Sequence, residues 1–470
     1  MDEQTIERLD ARGEGVTADG QVVRFALPGE TVRLDSDSPR LRGERVLHPR
    51  MIENDPAGLE IDNLKATGEP FNFFPEKREI ASDASRAHAP VARARGEGIG
   101  DDQLTILEPS PDRIAPVCRY FGVCGGCATQ HMGPKLYAQW KRGLVGAALQ
   151  RAGVAAEVGE LVDSHGEGRR RATFHARFLP QAREEVGFMR FRAHDIVEID
   201  DCPLFSPGLR GAVAAARALA ADLRGSKKPL DIQVTATLTG LDIDLRGSGP
   251  LQTAELKKLA QTAESLDLAR VSNHGRDVIV RRAPVVAFGK ARVTPPAGGF
   301  LQATDAGEEA MARLAIAAIG KAKKVADLFC GAGAFALRLA PGRDVFAVDN
   351  DAAAIRALEK TGANVRALAR DLFGRPLVAD ELAGFDALVF DPPRAGALAQ
   401  AKEIARSAIA TVVAISCSAE TFARDARTLV DGGYKLESVT PIDQFRYSAH
   451  VEIVDVFRRK REAKRRGVFG

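Results

Sequence analysis

Val325-Ala326-Asp327-Leu328-Phe329-Cys330-Gly331-Ala332-Gly333-Ala334-Phe335 joins an apolar run of strand length to a glycine turn and then to Ala/Leu/Arg-rich sequence of helical character. The alternation continues downstream, where Asp344 to Val348, Phe385 to Phe390 and Thr411 to Ser416 are further short apolar runs separated by helical stretches. Strand and helix in alternation imply a mostly parallel sheet wrapped by helices, so the C-terminal part of the chain is read as α/β and Rossmann-like. Tyr434 to Thr440 and Val451 to Phe457, joined by a short loop, are expected to close this sheet as an antiparallel hairpin.

The glycine turn also points to a ligand. Gly331 and Gly333 let a bound molecule approach the backbone, and Asp349, which ends the second strand in Phe346-Ala347-Val348-Asp349, can accept hydrogen bonds from ribose hydroxyls. A tight structural turn would account for a lone Gly-x-Gly equally well. The third glycine of a dinucleotide fingerprint is missing near Arg338, which weighs against a pyrophosphate and favours S-adenosylmethionine. Asp371, in Ala369-Arg370-Asp371-Leu372, falls where the third strand should end; it is positioned for the adenine or for a helix cap.

Asp391-Pro392-Pro393-Arg394 follows the fourth strand and so sits at the carboxyl edge of the sheet, beside that cofactor. The Pro-Pro pair stiffens the backbone and presents the flanking Asp and carbonyls to a flat substrate. Adenine amino-group methylases typically carry an aromatic residue where this chain has Arg394, and RNA cytosine-5 methylases a second cysteine after a proline; both chemistries are disfavoured. The C5 of uracil is too weak a nucleophile to attack a methyl sulfonium directly, and a thiolate added at C6 turns the ring into an enolate with negative charge on C5. Cys417, in Ile415-Ser416-Cys417-Ser418, is the candidate nucleophile, the alternative being a buried structural cysteine at a strand end.

Five of the six cysteines have chemical readings. Cys118-x5-Cys124-x2-Cys127 supplies three thiolates from one glycine-rich loop, and Cys202, in Asp201-Cys202-Pro203-Leu204, completes a set of four. Four thiolates suit a [4Fe–4S] cluster or structural zinc, and spacing does not decide between them. A radical methylase would need an x3 then x2 spacing and an open iron, so a structural or RNA-positioning role is favoured. Cys330, inside the glycine turn, is read as a small packing residue.

At 470 residues the chain should divide into about two to four domains. It has no run near the ~18–20 apolar residues a membrane helix requires, and Met1 to Asp10 is acidic rather than signal-like, so a cytoplasmic protein is expected. In that compartment clustered cysteines are ligands or catalysts rather than staples. The net charge of +3 announces no partner, but its distribution is uneven. Arg169-Arg170-Arg171 opens a basic stretch through Arg177, Arg183, Arg190 and Arg192, and Arg458 to Arg466 holds seven basic residues against one Glu. Both are candidates for neutralising phosphates, the alternative being solvated faces or a loose end.

Upstream, Ile6, Leu9, Val16, Val22, Val23, Phe25 and Leu27 alternate around glycines and read as short strands of a small barrel. Asp35 to about Asp101 has weak periodicity and reads as an insertion or linker, with Phe71-Asn72-Phe73-Phe74 able to dock; Gln103 to Leu107 is a displaced strand. A helix is expected after the cysteines, with Leu136, Trp140, Leu144 and Ala147 to Leu149 at helical spacing and Lys135, Lys141 and Arg142 between them. Residues 172–200 alternate as a hairpin or meander.

Taken together, Asp327 to Phe335, Asp391 to Gly396, Ser416-Cys417 with Arg424-Asp425, and His450-x-Glu452 resemble the S-adenosylmethionine-dependent RNA uracil-5 methyltransferases, over most of the chain. Ile6 to Val32, including Ala26-Leu27-Pro28-Gly29-Glu30, resembles that family's TRAM domain, an OB-like RNA-binding β-barrel, and the cysteine set resembles the [4Fe–4S] site of its bacterial 23S rRNA branch. The resemblance implies that Cys417 is the nucleophile and Glu452 the base that removes the C5 proton, with His450 orienting the loop. It implies that Gln302, in Gly299-Phe300-Leu301-Gln302, joins Phe329, Asp349, Asp371 and Asp391 in lining the cofactor and reaction pocket. Cys118, Cys124, Cys127 and Cys202 would hold the cluster, with zinc as the alternative. The implied division is a TRAM-like barrel over 1–108 interrupted at about 35–101, a β-rich iron–sulfur central domain over 109–290, and a class I methyltransferase domain over 291–470 with a basic tail. The implied partner is RNA, most simply 23S rRNA, with a tRNA uridine methylase or a catalytically silent RNA-binding protein as alternatives, and no membrane or obligate protein partner. Three positions depart from the family: Ser418-Ala419 replaces the usual Asn-Pro, Ala334 stands where Asn often contacts the cofactor, and the insertion after Leu34 has no counterpart.

Overall fold

The strands that read as unbroken apolar runs are buried on both faces, as Ala387–Phe390 and Thr411–Ser416 are in the computed structural model, which describes residues 3–34, 104–180, 183–226 and 228–459. Double burial removes the alternation that a half-exposed strand would show. These strands belong to an eight-stranded sheet in the order Val365–Ala369, Asp344–Asp349, Lys324–Leu328, Ala387–Phe390, Thr411–Ser416, Glu452–Arg458, Lys435–Asp443, Val162–Asp163. The first five run parallel. Glu452–Arg458 and Lys435–Asp443 form the expected antiparallel hairpin. Strand order reverses between Lys324–Leu328 and Ala387–Phe390, which opens a crevice at their carboxyl ends.

Helices cover both faces of this sheet. Asp305–Ile319, capped by Thr304 Oγ1 accepting from Gly307 N at 2.9 Å, packs Met311, Ala312 and Ala315 against Val413, Ile415 and Val454. On the opposite face Ala419–Asp431 and Pro134–Arg151 bury Phe422, Ala426, Val145 and Leu149 against Val412, Ala414, Ile453 and Phe457. The helix that follows the cysteine loop is thus part of the core beneath the last hairpin.

A seven-stranded sheet is built from Arg276–Val280, Arg270–Asn273, Gly240–Arg246, Leu230–Thr237, Arg171–Leu179, Arg183–Met189 and Ile196–Glu198; its last three strands are the expected meander. The helices Ala212–Asp222 and Thr253–Ser265 supply Leu219, Leu259 and Ala263 to its core. At the N-terminus a five-stranded antiparallel sheet runs Val22–Val23, Gly15–Thr17, Glu3–Leu9, Thr31–Leu34, Leu104–Glu108, so the strand after the long intervening segment pairs with the one before it. Buried Glu30 holds this sheet to the following loop by accepting from Leu27 N, Ser110 N and the Arg113 guanidinium. The Asp35 to Asp101 segment with its Phe71 to Phe74 string, and the tail beyond Arg459, lie outside the described residues.

The basic stretch expected along residues 169–192 is largely consumed within the fold. Arg170 is buried and bonds Asp305 and Glu308, and Glu308 is shared with Arg338. Arg177 pairs with Glu185, Arg183 with Glu198 and Arg192 with Glu14. Arg177 and Arg183 find their carboxylates within the same meander, whereas Arg170 and Arg192 find theirs on distant segments. Among the described residues no helix is long and apolar enough to cross a membrane.

Candidate active site

The glycine turn owes its shape to three residues with positive φ: Phe329 at 62°, Gly331 at 52° and Gly333 at 97°. At Gly333 a Cβ would also stand 2.6 Å from Leu358 Cδ1, so glycine is required there by space as well as by conformation. Asp349 closes the turn, accepting from Gly331 N and Asp351 N, each at 2.8 Å. Phe329 packs on Phe373 with ring centroids 5.6 Å apart, and exposed Asp371 accepts from Phe373 N at 2.9 Å. Phe329, Gly331, Gly333, Asp349 and Asp371 therefore border one end of the crevice. Asp327 lies beneath the turn, fully buried, and among the described residues neither carboxylate oxygen makes a well-formed hydrogen bond, the Ala336 backbone N–H favouring its charged form only in part. Burial pushes its pKa up to about 8, so it holds a proton at neutral pH.

At the other end of the crevice stand Cys417 and Glu452. The antiparallel register pairs Ser416 with Ile453, and one further step sets Cys417 across from Glu452. Ser418 accepts from Thr421 N as the N-cap of Ala419–Asp431, so the Ser418-Ala419 sequence after the nucleophile candidate has a local role as a helix start. The same helix holds the Pro-Pro-Arg loop: Thr421 Oγ1 donates to Arg394 O at 3.0 Å, and Asp425 Oδ2 accepts from Ala397 N at 2.7 Å. Burial pushes the Cys417 thiol up to about 11, with Glu452 and Asp391 adding to the rise and Arg394 opposing it. Burial likewise lifts Glu452 to about 7, against the hydrogen bond from Gln444 and the charge of Lys141. A carboxylate near neutrality can both take and release a proton.

A chain of amides connects the two carboxylates. Gln302 Nε2 donates to Asp391 Oδ2 at 2.9 Å, Gln444 Nε2 donates to Gln302 Oε1 at 2.8 Å and to Glu452 Oε1 at 3.0 Å, and Gln444 Oε1 accepts from Ala303 N at 3.1 Å. Sequence reasoning missed Gln444, which sits in a loop with no periodicity to mark it. It also set Lys141 between the apolar positions of its helix, whereas the structure buries Lys141 fully and bonds it to Asp443. The spacing of Tyr137 and Lys141, four residues apart and so on one helical face, was the available signal. His450 turns its ring toward Phe445, with centroids 5.8 Å apart, and offers its carbonyl to Lys141 at 2.8 Å.

The four cysteines Cys118, Cys124, Cys127 and Cys202 line one cavity of about 620 Å³, together with Arg169, Phe188 and Phe445. Burial raises Cys124, lifts Cys127 to about 12 and Cys202 to about 11, while the Arg169 guanidinium pulls each down. Among the described residues no group of three or more His, Cys, Asp or Glu side chains is drawn into the geometry of a single metal ion. The cysteine loop touches the loop between the last two strands, since Ala128 N donates to Tyr447 O at 2.7 Å.

Residues 370–461 match the family model described as tRNA (Uracil-5-)-methyltransferase, and residues 297–415 match that of the methyltransferase small domain. A protein of Brucella suis biovar 1 named as an uncharacterized RNA methyltransferase is 45% identical over 84% of this chain and 92% of its own length. The 23S rRNA (uracil(1939)-C(5))-methyltransferase RlmD of Pseudomonas putida is 32% identical over 85% of this chain and 93% of its own. Among solved structures, that of the Pyrococcus abyssi tRNA (uracil-54, C5)-methyltransferase with S-adenosyl-L-homocysteine superposes with a TM-score of 0.66 at 20% identity, covering 97% of this chain and 99% of that one. That likeness is one of fold.

Proposed function

The chain belongs to the S-adenosylmethionine-dependent RNA uracil-5 methyltransferases, and on that premise we propose that it makes 5-methyluridine in 23S rRNA through a covalent adduct of Cys417 with C6 of the base. The observation that carries the reading is the pairing across one sheet edge of a thiol with a carboxylate of near-neutral acidity, beside the glycine turn.

The chemistry follows from those two groups. Cys417 gives its thiol proton to water as its sulfur bonds to C6, and the displaced π pair moves to C5 and its carbonyl as an enolate. S-adenosylmethionine supplies an electrophilic methyl on sulfonium, to which C5 gives its pair. Glu452 then takes the C5 proton, the C–H pair re-forms the C5–C6 double bond, and the C6–S pair returns to Cys417. Gln302 and Gln444 hold Asp391 and Glu452 at fixed positions during this exchange. Phe329, Gly331, Gly333, Asp349 and Asp371 form the wall against which the nucleoside of the cofactor is proposed to lie.

Four half-buried thiols around one cavity fit a [4Fe–4S] cluster held by Cys118, Cys124, Cys127 and Cys202. Binding a cluster or zinc would displace the four thiol protons to solvent and hold the sulfurs as thiolates, against the burial that raises Cys127 and Cys202. A cluster there would brace the loop that meets Tyr447. The N-terminal sheet is proposed as a TRAM-like RNA-binding barrel, the segment over 109–290 as the cluster-bearing unit, and 291–470 as the methyltransferase unit. Mass-spectrometric mapping of 5-methyluridine in a strain lacking the gene tests the substrate: loss from 23S rRNA is expected, and loss from tRNA alone would overturn it.

A further inference from the structure

One helix outside the last hairpin governs the loop that delivers Glu452. On Pro134–Arg151, Tyr137 and Lys141 occupy one face, four residues apart. The fully buried Lys141 ammonium donates to the Asp443 carboxylate, to Phe445 O at 3.1 Å and to His450 O at 2.8 Å. Its three donors thus meet three acceptors. Tyr137 Oη donates to the second Asp443 oxygen at 2.8 Å and accepts from Tyr447 N at 2.9 Å. Two side chains therefore hold the start, the middle and the end of the loop between the strands Lys435–Asp443 and Glu452–Arg458. The middle needs holding, because Tyr447 has φ 64°, a conformation that a side chain disfavours.

A buried Lys–Asp pair alone is weak grounds for a stabilising role, since well-packed apolar residues can do as well. What an apolar pair cannot supply is the two carbonyl contacts, at Phe445 and His450, that set the path of the loop on both sides of its turn. We infer that Lys141 is a positioning residue for the proton-abstraction step, fixing the loop over residues 443–450 so that Glu452 is delivered opposite Cys417. This rests on the reading of Glu452 as the base. The groups facing Glu452 are the Gln444 amide, Asp391, Cys417 and Lys141, with Arg394 beyond Cys417. Of these Lys141 is the cation that favours the ionised carboxylate, so its removal also shifts the base toward its protonated form.

The test uses the full-length enzyme with SAM, measuring adduct formation on 5-fluorouridine RNA and, separately, single-turnover release of methylated product from uridine RNA. Lys141→Met is expected to form the fluorinated adduct at nearly the wild-type rate and to release product about 10- to 100-fold more slowly, less than the roughly 100- to 10,000-fold that outright loss of a general base costs. Its acid limb for release should move to higher pH, and amides of the 443–450 loop should exchange faster with deuterium. Tyr137→Phe, a milder change should the first variant fail to fold, is expected to alter release in the same direction by a smaller factor. Equal slowing of both steps, or wild-type release and wild-type amide exchange in the folded variants, would overturn the role of Lys141. The Glu452→Gln variant separates the two claims: slow release there beside wild-type release in Lys141→Met sinks the clamp alone, and wild-type release in Glu452→Gln sinks the base assignment together with the clamp.

Discussion

Gln444→Leu removes the amide that joins both halves of the reaction centre while nearly conserving volume. Three buried groups lose a partner: Gln302 Oε1, Glu452 Oε1 and Ala303 N, now held at 2.8, 3.0 and 3.1 Å. At about 1–3 kcal/mol for each buried polar group left unsatisfied the loss sums to roughly 3–9 kcal/mol, and leucine's apolar contacts favour the lower end, about 3 kcal/mol. The catalytic effect has a worked sign. The hydrogen bond from Gln444 favours the ionised form of Glu452, whose pKa already stands at about 7, so its loss raises that pKa further. Below neutrality a smaller fraction of the base is ionised, and release of methylated RNA from the Cys417 adduct slows most at low pH. Rapid-quench single turnovers from pH 6 to 9, with urea unfolding in parallel, measure both effects. A folded Gln444→Leu enzyme with wild-type stability and an unmoved acid limb would refute the argument.

Further outcomes follow from single residues. Asp327 ionises at about 8 when folded and near 3.8 otherwise, so the folded state holds a proton that the unfolded chain releases, and stability falls as pH rises between those values. Asp327→Asn should therefore match the wild type in urea unfolding near pH 4 and exceed it by a few kcal/mol at pH 8.5, at ~1.4 kcal/mol per pKa unit before solvent relaxation; equal midpoints at both pH values would count against it. Ser418→Ala removes the cap of Ala419–Asp431 and should lower stability by about 0.5–1 kcal/mol, a modest figure for a long bond, whereas Ser418→Asn keeps it. If the alanine variant forms the fluorinated adduct as fast as the asparagine one, the cap does not shape the Cys417 loop.

The parallel strands were legible because burial on both faces writes itself as apolar runs, and the turn because Gly331 and Gly333 both take positive φ, Gly333 with Leu358 where a Cβ would stand. Cys417 was put forward as nucleophile from its place after a strand and downstream of a Pro-Pro loop, and that role belongs to the proposed function. Arg170 misled: three adjacent arginines look like a phosphate patch until Asp305 and Glu308, far along the chain, are folded against the middle one. Lys141 and Gln444 were illegible for a related reason. Each matters through partners on distant segments, at Asp443 and Gln302, and neither helical spacing nor local composition records such meetings.

The central claim is the bond between Cys417 and C6 of a uracil in RNA. Incubating the enzyme and SAM with RNA carrying 5-fluorouridine, which has no C5 proton for Glu452 to remove, tests it most directly. The account predicts a protein–RNA species that survives denaturation, is mapped by peptide mass spectrometry to Cys417, and is absent with Cys417→Ala. A denaturation-resistant adduct that persists in Cys417→Ala, or no adduct on an RNA that the enzyme methylates, would contradict it.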